Sequence, residues 1–248
     1  MNYAAILAGG KGLSMHKMDV PKQFMILGSK PIFIHTIEQF LLNGNIDKII
    51  VAAPKDWEIY TIDLLDKQFT ENHDISVIKG GKNKNLSIME AVKYIDEKWG
   101  IRKEDILINH DAIRPFVTQR IINDNIQKAA KTGACISAIS TIDTIIDSKT
   151  GDTVRNIPPK RYMYQEQSPQ TFKLSLLKEL YNKIEEHQLD AETDTVRLVS
   201  ENGYRVEIVK GDYSNIKIVT PYDLQIAEAL LRSHISNNDK REVDANAK

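Results

Sequence analysis

A chain of 248 residues, 42% hydrophobic and 27% charged with a net charge of −1, is composed like an ordinary globular protein. That balance excludes the global basic field of a nucleic-acid binder, and a single cysteine, Cys135, excludes an intramolecular disulfide framework. No stretch reaches the roughly twenty apolar residues of a membrane span, and glycines and lysines interrupt the first twenty residues where a leader needs an apolar run, so a cytoplasmic chain is expected.

The apolar run Tyr3–Leu7 reads as a strand that feeds into Gly9, Gly10 and Gly12, with Lys11 among them. Glycines let a backbone turn its N–H groups toward phosphate oxygens, and lysines add the neutralising charge, so this is a loop suited to a polyanion. Phe24–Leu27 reads as a short extended piece, Gly28–Pro31 as a turn, and Ile32–Leu42 as a helix with Pro31 in its first turn. Lys48–Ala53, Ile75–Ile78, Asp105–Asn109 and Ala134–Ala138 are short apolar strands, and helical spacing covers Trp57–Phe69, Leu86–Trp99 and Ile121–Ala130 between them. This alternation predicts an α/β fold: a Rossmann-like, mostly parallel sheet with helices on both faces.

The alternation breaks at 139–165, where Thr144–Ser148 and Thr153–Ile157 flank a Thr150-Gly151-Asp152 turn and predict a protruding β-arm. Helices are expected again at Leu174–Glu186, Thr195–Asn202 and from Pro221 to Ile235, with a strand at Arg205–Lys210. Residues 1–235 form one domain in this reading, and 236–248 a polar, disordered tail.

Ligands of open parallel sheets bind at the carboxyl ends of the strands. Three polar clusters fall there: the glycine loop, Gly80-Gly81-Lys82-Asn83-Lys84, and His110-Asp111 with Arg114. Asp111 reads either as a turn residue or as a carboxylate holding a divalent metal beside phosphates, while His110 reads as a packed histidine. The glycine loop is neither a Walker A motif nor G-x-G-x-x-G, which argues against a P-loop ATPase and a dinucleotide oxidoreductase. Lys217, in the alternation Asn215-Ile216-Lys217-Ile218, is by itself a solvated lysine.

Five ordered motifs carry a resemblance: Leu7–Gly12 with Pro21-Lys22-Gln23-Phe24, His110–Pro115, Gln167–Phe172, Thr193-Asp194, and Asn215–Pro221. Together they resemble the methylerythritol-phosphate and ribitol-5-phosphate cytidylyltransferases over about residues 2–235. Met163-Tyr164-Gln165-x-Gln167 and Lys55-Asp56-Trp57 look more like the ribitol-phosphate branch. The resemblance implies that CTP and a polyol phosphate, D-ribitol 5-phosphate on this reading, give CDP-polyol and pyrophosphate by in-line attack on the α-phosphate. A ribitol product would feed teichoic-acid or capsule assembly; the alternative, methylerythritol phosphate, would feed isoprenoid synthesis.

The resemblance further implies that Ala8, Gly9, Gly10, Lys11 and Gly12 cradle the triphosphate, and that Lys22 and Lys217 stabilise the α-phosphate in the transition state. Gly81 and Ser87 would read cytosine, and Asp111 would support Mg²⁺. Arg114, Thr144, Lys160, Ser168, Thr193 and Asp194 would line the polyol-phosphate side with Asp111. Thr144 and Lys160 would do so across a homodimer, the arm reaching the neighbour's site. Ser14, Lys84 and Lys160 stand where the family carries arginine. Arginine to lysine loses the planar two-toothed grip on phosphate, and serine loses the charge. A degenerate nucleotide-binding relative is therefore the competing class, with Ser14 as its reason.

Overall fold

The computed structural model describes residues 1–9, 20–69, 74–184 and 194–246, with side chains up to 233. Strands β1 (Asn2–Leu7), β4 (Lys48–Ala53), β5 (Ile75–Lys79), β6 (Ile106–Asp111), β7 (Ala134–Ser140), β8 (Tyr164–Lys173) and β9 (Glu207–Lys210) form one sheet in the order β5-β4-β1-β6-β8-β7-β9. Only β8 runs antiparallel to its neighbours. A small hairpin pairs β2 (Ile26–Leu27) with β3 (Lys30–Pro31), its turn made possible by Gly28 at φ 64°.

The apolar runs are continuous because helices cover both faces. Tyr3 and Ala5 point into a core closed by α3 (Lys84–Trp99) and α5 (Leu174–Lys183). Their neighbours Ala4 and Ile6 point into the opposite core, under α1 (Ile32–Leu41), α2 (Glu58–Gln68) and α4 (Gln119–Thr132). Helices α6 (Thr195–Glu201) and α7 (Pro221–Asn246) complete the set of seven among the described residues. None of them is long and apolar enough to cross a membrane.

Three expectations change, and one segment that was given no element proves to be a strand. That segment, Tyr164–Lys173, is a ten-residue strand in the middle of the sheet. Its glutamines and proline hide it, since a proline argues against a central strand. Pro169 is accommodated because the pairing with β7 shifts register there, jumping from Ile136↔Gln170 to Ser137↔Gln167. The arm between β7 and β8 is a loop with one bridge, Asp147↔Asn156, rather than a paired hairpin. Asp147 and Arg155 form an ion pair across it. Pro31 precedes α1 as its cap instead of lying inside. Finally, α7 continues to Asn246, where a disordered tail was expected from 236; lysine, arginine, glutamate and alanine in that stretch favour propagation of a helix already begun.

Candidate functional site

The carboxyl ends of β1, β5 and β6 open onto a cleft of about 300 Å³, whose lining includes Gly9, Lys22, Lys84, Ser87, Asp111 and Lys217. At its rear, Ala8 is locked in place: its N–H donates to the Ala52 carbonyl at 3.0 Å, and its own carbonyl accepts from Gln23 Nε2 at 2.5 Å. Ala8 therefore shapes the cleft but has no amide left for a phosphate. The Gln23 bond also ties the short 3-10 turn Lys22–Phe24 to the end of β1, which places Lys22 at the cleft.

The second wall is the loop Gly80–Asn83 leading into α3. Asn83 caps that helix by accepting from Leu86 N–H at 2.9 Å. Ser87 Oγ donates to the Asn83 carbonyl at 2.9 Å and accepts from Gly81 N–H at 3.1 Å. With its one proton so used, Ser87 sets the loop's shape and keeps no donor for a base. Gly81 approaches Leu86 so closely that no Cβ fits. The helix start and Lys82 and Lys84 beside it face the cleft, an arrangement that favours an anion.

Asp111, the last residue of β6, is the hub. Its Oδ2 takes Lys217 Nζ at 3.2 Å and Arg114 Nε at 3.0 Å, and its N–H donates to Ser168 Oγ at 3.1 Å. Arg114 is held in turn by the Asn215 carbonyl at 2.8 Å. Burial alone would raise the Asp111 carboxyl, but Lys84, Lys217 and Arg114 together hold it well below the usual carboxylate range. His110 faces the other way, its Nε2 3.0 Å from the Arg114 carbonyl and its ring 5.1 Å from that of Phe40. Burial lowers its pKa to about 4, so it is a neutral, packed residue at neutral pH.

Beyond Asp111 the charge changes sign. Lys84 Nζ lies 3.2 Å from Asp194 and 3.8 Å from Glu166. The fully buried Gln170 donates from Nε2 to Glu166 at 2.6 Å and to both oxygens of Asp194 at 2.9 and 3.0 Å. Asp194 also caps α6 through Val196 N–H. Lys84 is thus committed to two carboxylates on this side while lining the cleft on the other.

Of the residues expected from sequence, Ala8, Gly9, Lys22, Lys84, Ser87, Asp111 and Lys217 meet in this cleft, with Arg114, Ser168 and Asp194 bound to its rim. Gly81 lies in an adjoining cavity. Thr144 and Lys160 sit exposed on the arm and reach nothing in this cleft. Gly10, Lys11, Gly12, Ser14 and Thr193 lie outside the described residues. Sequence reasoning missed Glu166, Gln170 and the positioning roles of Gln23, Asn83 and Asn215. Gln23, Gln170 and Asn215 were inside the recognised motifs, and their burial at 5%, 0% and 0% exposure is what gives them meaning.

Among the described residues no group of three or more histidine, cysteine, aspartate or glutamate side chains could hold a metal. Asp111 fits a different kind of site, one carboxylate completed by substrate phosphates and water, which is how Mg²⁺ is commonly held beside a nucleotide.

A cleft lined by Lys22, Lys84, Lys217 and Asp111 over the strand ends of a mostly parallel sheet suits a polyphosphate, and the family match makes the chain a nucleotidyltransferase. Residues 3–233 match the family model IspD: 2-C-methyl-D-erythritol 4-phosphate cytidylyltransferase, and the chain belongs to that family. It is similar to the solved 4-diphosphocytidyl-2C-methyl-D-erythritol synthase from Anaerococcus prevotii, with 27% identity, a TM-score of 0.76 and coverage of 93% of this chain and 96% of the other. The Francisella tularensis 2-C-methyl-D-erythritol 4-phosphate cytidylyltransferase is 28% identical, with a TM-score of 0.74 and coverage of 91% and 97%. The Thermus thermophilus enzyme, at 24% identity and a TM-score of 0.73 over 94% and 100%, shares the fold.

Proposed function

We propose that the chain joins CTP to 2-C-methyl-D-erythritol 4-phosphate. An acceptor phosphate oxygen attacks the α-phosphorus of CTP, the bond from that phosphorus to the bridging oxygen breaks, and pyrophosphate leaves. The observation that carries this reading is the convergence of Lys22, Lys84 and Lys217 on the cleft around Asp111. Little covalent work falls to the protein in phosphoryl-type transfer, so positioned positive charge supplies most of the acceleration. In this reading Lys22 and Lys217, which line the cleft, stabilise charge growing on the α-phosphate. Asp111 orients Lys217 and Arg114 and would hold Mg²⁺, which when bound neutralises triphosphate charge.

The acceptor assignment follows the family match and the methylerythritol enzymes among the relatives. The two segments that look more like the ribitol-phosphate branch keep ribitol phosphate as the second acceptor to test. Lys55, Asp56 and Trp57 line a cavity with Gly80 and Gly81, away from the rim where Arg114, Ser168 and Asp194 gather. Gln167 lies 2.8 Å from the Asp212 carbonyl and 3.2 Å from its N–H, and its Oε1 also accepts from Asn215 Nδ2 at 3.4 Å. The product of this reaction would enter isoprenoid synthesis.

The arm exposes Ile142, Ile146, Val154, Ile157 and Tyr162, and with the family resemblance this supports a homodimer in which Thr144 and Lys160 serve the neighbouring cleft. Pyrophosphate release from CTP and Mg²⁺ with methylerythritol phosphate and ribitol phosphate side by side tests the acceptor. A higher kcat/KM with ribitol phosphate would overturn that part and leave cytidylyl transfer standing.

A further inference from the structure

The nucleotide cleft continues into a second cavity of about 510 Å³, with which it shares Gly9 and Lys82. The two differ in chemistry. The first gathers cations around Asp111; the second adds to its lysines Lys55, Lys79 and Lys82 and to Asp56 a flat apolar wall of Pro54, Trp57 and the glycine backbone of Gly80 and Gly81. The indole of Trp57 is held in place from outside the cavity. It stacks on Phe24 at 5.1 Å with 24° between the ring planes, and Tyr60 meets it edge-on at 5.2 Å and 84°. Phe24 itself packs edge-on against Phe33 at 5.3 Å.

We propose that Trp57 is the aromatic wall of the nucleobase pocket, a specificity-determining residue for the nucleotide substrate. A ligand spanning both cavities needs a flat, π-bearing end for the indole and glycine backbone, and an anionic end for Lys22, Lys84 and Lys217. A nucleoside triphosphate has that polarity, and base stacking on an aromatic ring is a strong, orientation-defining contact. The same stack has a mechanical consequence. Phe24 belongs to the 3-10 turn that begins with Lys22, so a base pressing on Trp57 presses, through Phe24, on the turn that aims Lys22. This inference rests on CTP being the substrate.

The chain holds two tryptophans, and the other, Trp99, packs on Tyr3 and Tyr94, so Trp99→Phe leaves Trp57 as the sole indole reporter. In that protein, fluorescence is expected to change saturably with CTP and with cytidine, and not with inorganic pyrophosphate. Trp57→Leu is expected to raise the KM for CTP about tenfold, the scale of a lost base–aromatic stack, while the acceptor KM moves by less than about twofold; Trp57→Phe should restore most of the loss. No response to cytidine, or a response to pyrophosphate alone, overturns the proposal, as does an equal rise in both KM values. The fluorescence titration decides by itself if Trp57→Leu does not fold. Quenching by cytidine in a protein that releases no pyrophosphate with any acceptor would sink the proposed reaction and leave the base pocket; turnover without quenching would sink the pocket alone.

Discussion

The half of the sheet made of β5, β4, β1 and β6 and the half made of β8, β7 and β9 meet along one strand pair, yet they hold their polar groups by different means. In the first half, the proposed nucleotide side, the backbone does the positioning. Ala8 and Gly80 bond to the neighbouring strand through Ala52 and Ala53, and Gly81 fits because it has no side chain. On the acceptor side, buried side chains do it: Gln167, Gln170 and Asn215 tie β8, α6 and the loop before α7 together. A site set by backbone is sensitive to volume. A site set by a hydrogen-bond network is sensitive to the loss of one donor.

The largest effect expected is on turnover, because in the proposed reaction Lys22 and Lys217 would supply charge at the α-phosphate. Lys22→Met and Lys217→Met should each lower kcat by about 10²–10³, read as pyrophosphate release at saturating CTP. A loss under about tenfold would mean that the cations serve binding and not the transition state.

Next comes acid stability, which joins the two halves at the end of β6. Burial holds His110 neutral, with its pKa lowered from 6.5 to about 4. The unfolded state therefore takes up the proton first, and the contribution of His110, present above about pH 6.5, is lost as pH falls toward 4, by roughly 3 kcal/mol. Asp111 acts further down: its depressed pKa gives stability that is full above about pH 4 and lost below it. Urea midpoints between pH 7 and pH 4.5 should fall steeply in the wild type and more gently in His110→Gln; equal slopes would locate the titrating group elsewhere.

Gly81→Ala is expected to cost about 2 kcal/mol, since its Cβ would collide with Leu86, and to raise the KM for CTP. Gly44→Ala, where nothing lies within 4 Å of the added carbon, is the control, and a similar loss there would remove the volume argument. Gln170→Leu should cost about 1–2 kcal/mol and raise the KM for the acceptor, as Glu166 and Asp194 lose the donor between them. If it raised the KM for CTP instead, the division of the cleft into two sides would fail.

The parallel half was legible because its code is local. A continuous apolar run between helical stripes, ending in glycine, is strand, crossover and binding loop in one reading, as at Tyr3–Leu7 and Lys48–Ala53. In the other half, where β7 and β9 were also legible, the central strand β8 was not, for the opposite reason. Tyr164–Lys173 carries four glutamine or glutamate residues and a proline, and nothing within the segment says strand. Only β6 and β7 on either side make it one.

By itself, then, the sequence determined the α/β alternation, the glycine loops and the ordered motifs that hold Lys22, Asp111, Ser168 and Lys217, because local spacing and residue type suffice for those. The tertiary structure decided which of these residues touch. It alone set Lys217 and Arg114 on one carboxylate oxygen, spent the Ala8 amide and the Ser87 hydroxyl on the scaffold, and placed Trp57 in the cavity beside the cleft. Those outcomes depend on contacts between residues as many as a hundred positions apart, such as Asp111 with Lys217, and on which donors remain once the backbone is satisfied.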